Sequence, residues 1–201
     1  MKYKYNFFKR SVHWDSQSVM PTSYNCSYCG TFVTSTEGLP LVDENYVGEK
    51  TFSKPSGGVY ICPNCSYPTY IYLDEQVPLS RFGESIEYLP EEVEKIYEEA
   101  RDSFSVGAYT AVMLLCRKLL MHVAVNLGAD ENKKFIDYVN YFETNGYISK
   151  NAKPWVDKIR KLGNEANHEI MIGNREDAKK IIEFSTMLLK TNYEYPGKIE
   201  D

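Results

Sequence analysis

The spacing of apolar residues divides the chain into two parts with different periods. From about residue 80 onward, hydrophobic positions recur every three or four residues, which is the period of amphipathic helices. Before that point, short runs rich in valine, isoleucine, tyrosine and threonine alternate with turn residues, which is typical of β-strands. We therefore predict an α+β fold class, with a small β-rich domain over residues 1–80 and an all-α domain over residues 81–201.

The C-terminal pattern predicts five helices with short connections, which is the layout of a helical bundle. Pro90 opens the first helix, and Gly128 follows the end of a second helix predicted over about 107–127. The second helix is apolar on almost every side around residues 111–116, so we expect it at the centre of the bundle. The third, fourth and fifth helices are predicted over about 133–144, from about 154, and over about 175–192.

In the N-terminal part, strands are predicted at residues 59–62 and 69–73. Glycines and prolines between positions 38 and 58 indicate a long loop or an irregular hairpin ahead of these strands. The first twenty residues are aromatic and basic, and we expect either an added strand or a docking arm. The tyrosines at positions 60, 67, 70 and 72 alternate along the predicted strands, where they either stack nucleic-acid bases or cover a small core.

Two cysteine pairs carry the clearest chemical signal in the N-terminal part. Cys26 and Cys29, like Cys62 and Cys65, are separated by two residues, and four thiolates at this spacing can surround one Zn²⁺ tetrahedrally. Such a site has four protein ligands and no open position, so we predict structural rather than catalytic zinc. Two disulfides, or a redox pair, are the alternatives. Cys116 lies on an apolar helix and is interpreted as a small buried hydrophobe.

Composition narrows the classes of partner and the cellular location that we expect for the protein. The formal net charge of −5 argues against a strongly basic nucleic-acid-binding surface, although it leaves room for a local basic patch. The longest apolar run covers residues 111–116, far short of the ~20 residues needed to cross a bilayer. Since no signal peptide is recognisable either, we expect a cytoplasmic protein without a membrane partner.

The predicted fourth helix places three polar residues along one stripe. Arg160, Asn164 and His168 are spaced by four, so a guanidinium, an amide and an imidazole lie within reach of one another. A cluster of this kind is either a candidate catalytic site or a hydrogen-bonded structural group. Arg117, on the largely apolar second helix, must either pair with a carboxylate or line the same groove as a ligand-binding residue.

The helical half resembles the bacterial family called domain of unknown function 4145, which is similar to the HEPN superfamily of nucleotide-binding helical domains. The resemblance covers about 89–192, and zinc-knuckle segments are familiar ahead of such domains. Its motifs are Leu89-Pro90, Tyr-Glu-Glu-Ala at 97–100, Gly-Ala-Tyr-Thr-Ala at 107–111, Cys-Arg-Lys-Leu-Leu at 116–120, and the stretch 159–168 that contains Arg160, Gly163, Asn164 and His168.

The resemblance implies a metal-independent endoribonuclease site, often shared across a homodimer. His168 would act as acid or base at the ribose hydroxyl or leaving oxygen, Arg160 would stabilise phosphorane charge, and Asn164 would orient the phosphate or the imidazole. Seven residues separate Arg160 from His168, whereas the superfamily's nuclease motif has four to six, so the motif is incomplete. Many relatives are non-catalytic adaptors or dimerisation modules.

These observations predict a zinc-ribbon protein with a HEPN-like bundle that acts in nucleic-acid-linked defence or counter-defence. It would do so by binding nucleic acid, with RNA favoured, or a partner protein, as a homodimer. The alternatives are the ribonuclease that uses Arg160, Asn164 and His168, a nucleotide sensor, and a non-catalytic dimeric adaptor.

Overall fold

The computed structural model describes residues 13–41, 57–149, 155–159 and 172–200. The chain divides into two compact units, residues 1–81 and 82–201. The first unit contains an antiparallel sheet and the second is helical, so the predicted mixed architecture is confirmed at this level.

The N-terminal unit is a five-stranded antiparallel sheet in which each strand pairs with the next along the chain, in the order β1-β2-β3-β4-β5. The strands are β1 (Gln17–Asn25), β2 (Phe32–Pro40), β3 (Gly57–Ile61), β4 (Pro68–Tyr72) and β5 (Glu75–Val77). β3 and β4 lie close to the predicted strands.

β2 pairs antiparallel with β3, so of the two expectations for the stretch between the cysteine pairs, a long loop or an irregular hairpin, the structure shows the hairpin, with Gly38 and Pro40 inside the strand at 32–40. Gly38 pairs with Tyr60 of β3, and a Cβ at Gly38 would lie 2.0 Å from the carbonyl oxygen of Val59. The glycine therefore permits close strand approach here and does not break the strand. Residues 42–56, the rest of the expected loop, lie outside the described residues.

The two faces of the sheet differ. On one face Tyr60 pairs with Thr69, and both side chains are buried against a small core that also contains Val19, Tyr24 and Val33. Because successive strand residues point to opposite faces, Val59 and Tyr70 lie on the other face. The cysteines Cys26 and Cys62 belong to the small core, so the cysteine turns and the buried face form one body.

The C-terminal unit contains α1 (Glu91–Ser105), α2 (Tyr109–Asn126), α3 (Phe135–Thr144) and α4 (Arg175–Leu189), with residues 155–159 helical between α3 and α4. α2 packs against α1, α3 and α4, as its all-round apolar sequence predicts. Pro90 precedes α1, and Gly128 follows α2 with a left-handed φ of 104°. Cys116 is fully buried, as its apolar surroundings predict.

The last helix extends beyond its predicted end. α4 continues through a π-helical turn, Lys190–Glu194, into a short helix α5 (Tyr195–Glu200). Among the helices of the described ranges, none combines the length and the apolarity that crossing a bilayer requires.

Arg101 forms a buried ion pair within α1 and also binds the start of the helical unit. Arg101 Nη1 lies 2.6 Å from Glu98 Oε1, and both side chains are almost completely buried. The same guanidinium donates from Nε to the carbonyl of Phe82 at 3.1 Å and from Nη2 to that of Gly83 at 2.8 Å. Arg101 thus uses its fork of donors to hold the segment that precedes α1.

Candidate metal centre

Two turns of matching geometry present the cysteines. In the first, Gly30 N donates to Cys26 O at 2.9 Å and Cys26 N donates to Thr31 O at 3.0 Å. In the second, Ser66 N donates to the carbonyl of Cys62 at 2.8 Å, and the Cys62 amide donates to that of Tyr67 at 3.0 Å. Each turn therefore fixes its two thiols on the same side of the backbone.

The two turns bring all four sulfur atoms together. The Sγ atoms of Cys26, Cys29, Cys62 and Cys65 lie within 4.8 Å of one another, with 3.6 Å between Cys26 and Cys65 and 3.9 Å between Cys29 and Cys62. All four cysteines are free thiols. A tetrahedral site with Zn–S bonds of about 2.3 Å has sulfur–sulfur edges of about 3.8 Å, so the cluster has the dimensions of a Zn(Cys)₄ site.

The electrostatics of the cluster also suit a cation. Burial raises the pKa of the Cys26 thiol to about 11 and raises that of Cys65 further. Burial also opposes ionisation of Cys29, but hydrogen bonds led by the Asn64 side chain lower the pKa of the Cys29 thiol to about 6. Four thiolates this close repel one another, and a divalent cation removes that repulsion and stabilises the deprotonated thiols.

Polar side chains around the sulfurs hold the two turns in place. Asn64 Nδ2 lies 3.4 Å from Cys29 Sγ and 3.1 Å from Thr31 Oγ1, so it links the second turn to the first. Gln76 Nε2, from β5, donates to the carbonyl of Asn25 at 2.9 Å and to Ser27 Oγ at 3.0 Å. These partners were missed in the sequence, where only the position of Asn64 between two cysteines was a usable signal.

Aromatic residues cover the outside of the turns. The rings of Tyr28 and Tyr67 stack across the two turns, with centroids 4.7 Å apart and an interplanar angle of 25°. Trp14 Nε1 donates to Ser66 O at 2.8 Å and so joins the described start of the chain to the second turn. The four tyrosines noted in the sequence thus separate: Tyr60 and Tyr67 pack in or beside the core, while Tyr70 and Tyr72 are exposed.

The second candidate site lies mostly outside the described residues. Arg160, Asn164 and His168 lie outside the described residues, so their arrangement stays a prediction. Arg117 is described: its guanidinium lies over the ring of Phe135, 5.0 Å from the centroid, and partial burial lowers its pKa. A cation–aromatic contact of this kind packs α2 against α3.

The helical unit also has an open cleft of about 580 Å³ beside the π-helical turn, lined in part by Phe82, Thr186, Lys190 and Tyr195. Lys190 forms an ion pair with Glu84 at its rim, and Glu183 adds another carboxylate. The cleft therefore lacks the excess of positive charge that favours nucleotide phosphates.

Taken together, a β unit with a four-thiol cluster that is compatible with a metal site, followed by a helical unit, defines an α+β protein. The sequence profile of the family described as Domain of unknown function (DUF4145) matches residues 98–201, and the chain belongs to this family. The match runs from within α1 to the last residue and leaves the cysteine cluster outside it. No curated protein and no solved structure matches the chain.

Proposed function

We propose that the protein is a zinc-stabilised binding protein in which the N-terminal unit is a zinc ribbon that recognises a partner. The observation that carries this proposal is the closed cluster of four thiols at the spacing of a Zn(Cys)₄ site. With four protein ligands, zinc has no open position for substrate, so its role is structural. Binding energy of about 10–16 kcal/mol would then stabilise a unit whose core is small.

A test of the zinc proposal begins with the metal content of the purified chain. One zinc per chain is expected, together with loss of zinc and of β-sheet structure in Cys62→Ser. The matched control is Cys116→Ser, because Cys116 is a buried cysteine of the helical unit, remote from the cluster in the sequence. Zinc retained at full stoichiometry in Cys62→Ser would contradict the proposal.

The biological setting that we propose is nucleic-acid-linked defence or counter-defence in the cytoplasm. Support comes from the resemblance of the helical half to HEPN domains, which also supports a homodimer and an affinity for RNA. The free thiols support a reducing compartment, where structural disulfides are rare. Light scattering on the purified chain tests the proposed homodimer. A monomeric mass at all concentrations would contradict it.

A ribonuclease is the second candidate function, and it is favoured by the polar stripe of Arg160, Asn164 and His168. If His168 moves the proton, His168→Ala abolishes RNA cleavage while zinc content and helicity stay unchanged. An adaptor instead binds its partner equally well with this substitution and fails after Cys62→Ser. RNA cleavage that persists in His168→Ala would remove this residue from the mechanism.

A further inference from the structure

The face of the sheet that points away from the small core carries a continuous row of apolar residues. Leu39 pairs with Val59, Val59 with Tyr70, and Tyr70 with Val77, so one side chain from each of β2 to β5 stands side by side on this face. Leu39, Tyr70 and Val77 are 46%, 38% and 58% exposed. We call this surface the outer row.

A second exposed tyrosine extends the outer row. Tyr72 lies two residues after Tyr70, on the same face of β4, and is 41% exposed. Leu41 N donates to the carbonyl of Gly57, the residue that pairs with Tyr72, so exposed Leu41 continues the surface past the end of β2. The core formed by the described residues of this unit lies on the opposite face, so packing within 13–41 and 57–81 does not account for the outer row. Contiguous exposed apolar surface of this kind marks interaction sites.

Among the described residues, the charges near the outer row are negative. Glu75 pairs with Tyr72, Asp74 is the neighbouring turn residue, and exposed Glu37 lies two residues before Leu39. Within the described residues 13–41 and 57–81, the only lysine or arginine is Arg81.

This charge pattern selects among the classes of partner. A nucleic acid needs lysines and arginines for its phosphates, and here carboxylates flank the tyrosines on which bases would stack. A second copy of the chain would bring two acidic rims together, which like-charge repulsion disfavours. A protein segment with apolar side chains flanked by lysine or arginine satisfies both the apolar row and its acidic rim.

We propose that the outer row is a docking surface for a protein partner whose contact segment combines apolar side chains with lysine or arginine. Tyr70 and Tyr72 are the anchor residues, since tyrosine supplies a large contact area at little conformational cost and is enriched at interface centres. This inference rests on the proposed function, because it identifies the partner class that the N-terminal unit recognises.

The test uses the zinc-loaded full chain and a phage-displayed library of random dodecapeptides. We expect the enriched peptides to be rich in apolar residues and in lysine or arginine. Synthetic copies should bind the Tyr70→Ser/Tyr72→Ser variant about tenfold or more weakly. They should also bind the charge-reversed Asp74→Lys/Glu75→Lys variant more weakly. Phe32→Ser is the matched control and should bind as the parent chain does, since Phe32 is an exposed aromatic residue at the other end of β2.

Several results would overturn the proposal. These are enrichment of acidic peptides, equal binding to the tyrosine double variant, failure to enrich any peptide, or binding of labelled oligouridine that requires Tyr70 and Tyr72. Zinc content and circular dichroism, measured for every variant, distinguish failure of the docking proposal from failure of the proposed function. A variant that has lost zinc reports on the metal site, whereas a zinc-loaded, folded variant reports on the surface.

Discussion

Gly30 and Ser66 occupy equivalent positions, each one residue after the second cysteine of its turn, and both have left-handed backbone, with φ of 72° and 63°. The amide of each donates to the carbonyl of the first cysteine of its turn. The two turns are therefore built alike, although only the first uses glycine at this position.

Gly30→Ala should destabilise the N-terminal unit by about 1 kcal/mol, because a residue with a Cβ is disfavoured in this conformation. An added Cβ would meet nothing within 4 Å, so the cost is that of the backbone alone. Denaturant unfolding in a Trp155→Phe background measures the free energy of unfolding of the N-terminal unit, because Trp14 is then the only tryptophan that gives a fluorescence signal. Gly146→Ala is the control: Gly146 has a φ of 80° and equally open surroundings in the helical unit. A Gly30→Ala variant whose N-terminal unit unfolds at the same denaturant concentration as the parent would contradict this cost of the left-handed backbone.

Asn64→Ala should weaken zinc binding about tenfold, because a side chain that donates to a metal-binding sulfur, as Asn64 does to Cys29 Sγ, orients that ligand. Burial opposes ionisation of Cys29, but several hydrogen bonds, led by that of Asn64, lower the pKa of its thiol to about 6, so removal of Asn64 should raise that pKa and let protons compete with metal at higher pH. The midpoint of zinc release on acidification should move upward. Chelator competition across a pH series measures both effects. Asn145→Ala serves as the control, since Asn145 donates to a helix carbonyl, Tyr141 O, at 3.0 Å. An unchanged midpoint in Asn64→Ala would show that this hydrogen bond does not tune the site.

Tyr97→Phe should reduce stability by about 1 kcal/mol at neutral pH, because a buried hydrogen bond is lost. The Tyr97 hydroxyl lies 2.6 Å from Thr186 Oγ1 and 3.0 Å from the carbonyl of Glu84.

The buried Tyr97 hydroxyl should also make the stability of the parent protein depend on pH. Burial raises the pKa of Tyr97 from 10.0 to about 12, so the neutral phenol stabilises the fold fully below pH 10 and this contribution is lost as pH rises to about 12. Tyr97→Phe lacks this loss, and the stability difference between parent and variant should shrink over that range. A constant difference, measured by urea unfolding at each pH, would contradict the assignment.

Glu98→Ala should destabilise the helical unit by about 3–5 kcal/mol, because it leaves the Arg101 charge buried without its carboxylate. Glu98→Gln keeps an acceptor oxygen and should cost less. Glu91→Ala is the matched control for an exposed pair, since Glu91 and Lys95 are 2.5 Å apart at the surface; it should change stability much less than Glu98→Ala does. Thermal unfolding measures all three, and equal effects of Glu98→Ala and Glu91→Ala would rule out a stabilising role for the buried pair.

The helical half was largely predictable because burial leaves a period in the sequence. Val93, Tyr97, Ala100 and Phe104 recur at helical spacing, and all four are buried in α1. The π-helical turn Lys190–Glu194 was not predicted, since a change of backbone hydrogen bonding leaves no comparable mark on the apolar pattern.

The β half was less predictable because its glycines are ambiguous. Gly38 was one of the residues that indicated either a long loop or an irregular hairpin, and it lies in β2, where β3 approaches too closely for a side chain. The cysteine spacing indicated the candidate metal site, but Asn64 and Gln76 could not be assigned to it, since their contacts cross between turns distant in sequence. The outer row likewise depends on cross-strand pairing, which the sequence of a single strand does not contain.

X-ray absorption spectroscopy of the purified protein tests the central claim most directly, because it counts the atoms bound to zinc. The account predicts one zinc per chain with four sulfur neighbours at about 2.3 Å and no nitrogen or oxygen neighbour. A mixed sulfur and nitrogen or oxygen shell, or a chain that folds without metal and with its four N-terminal cysteines in disulfides, would contradict it.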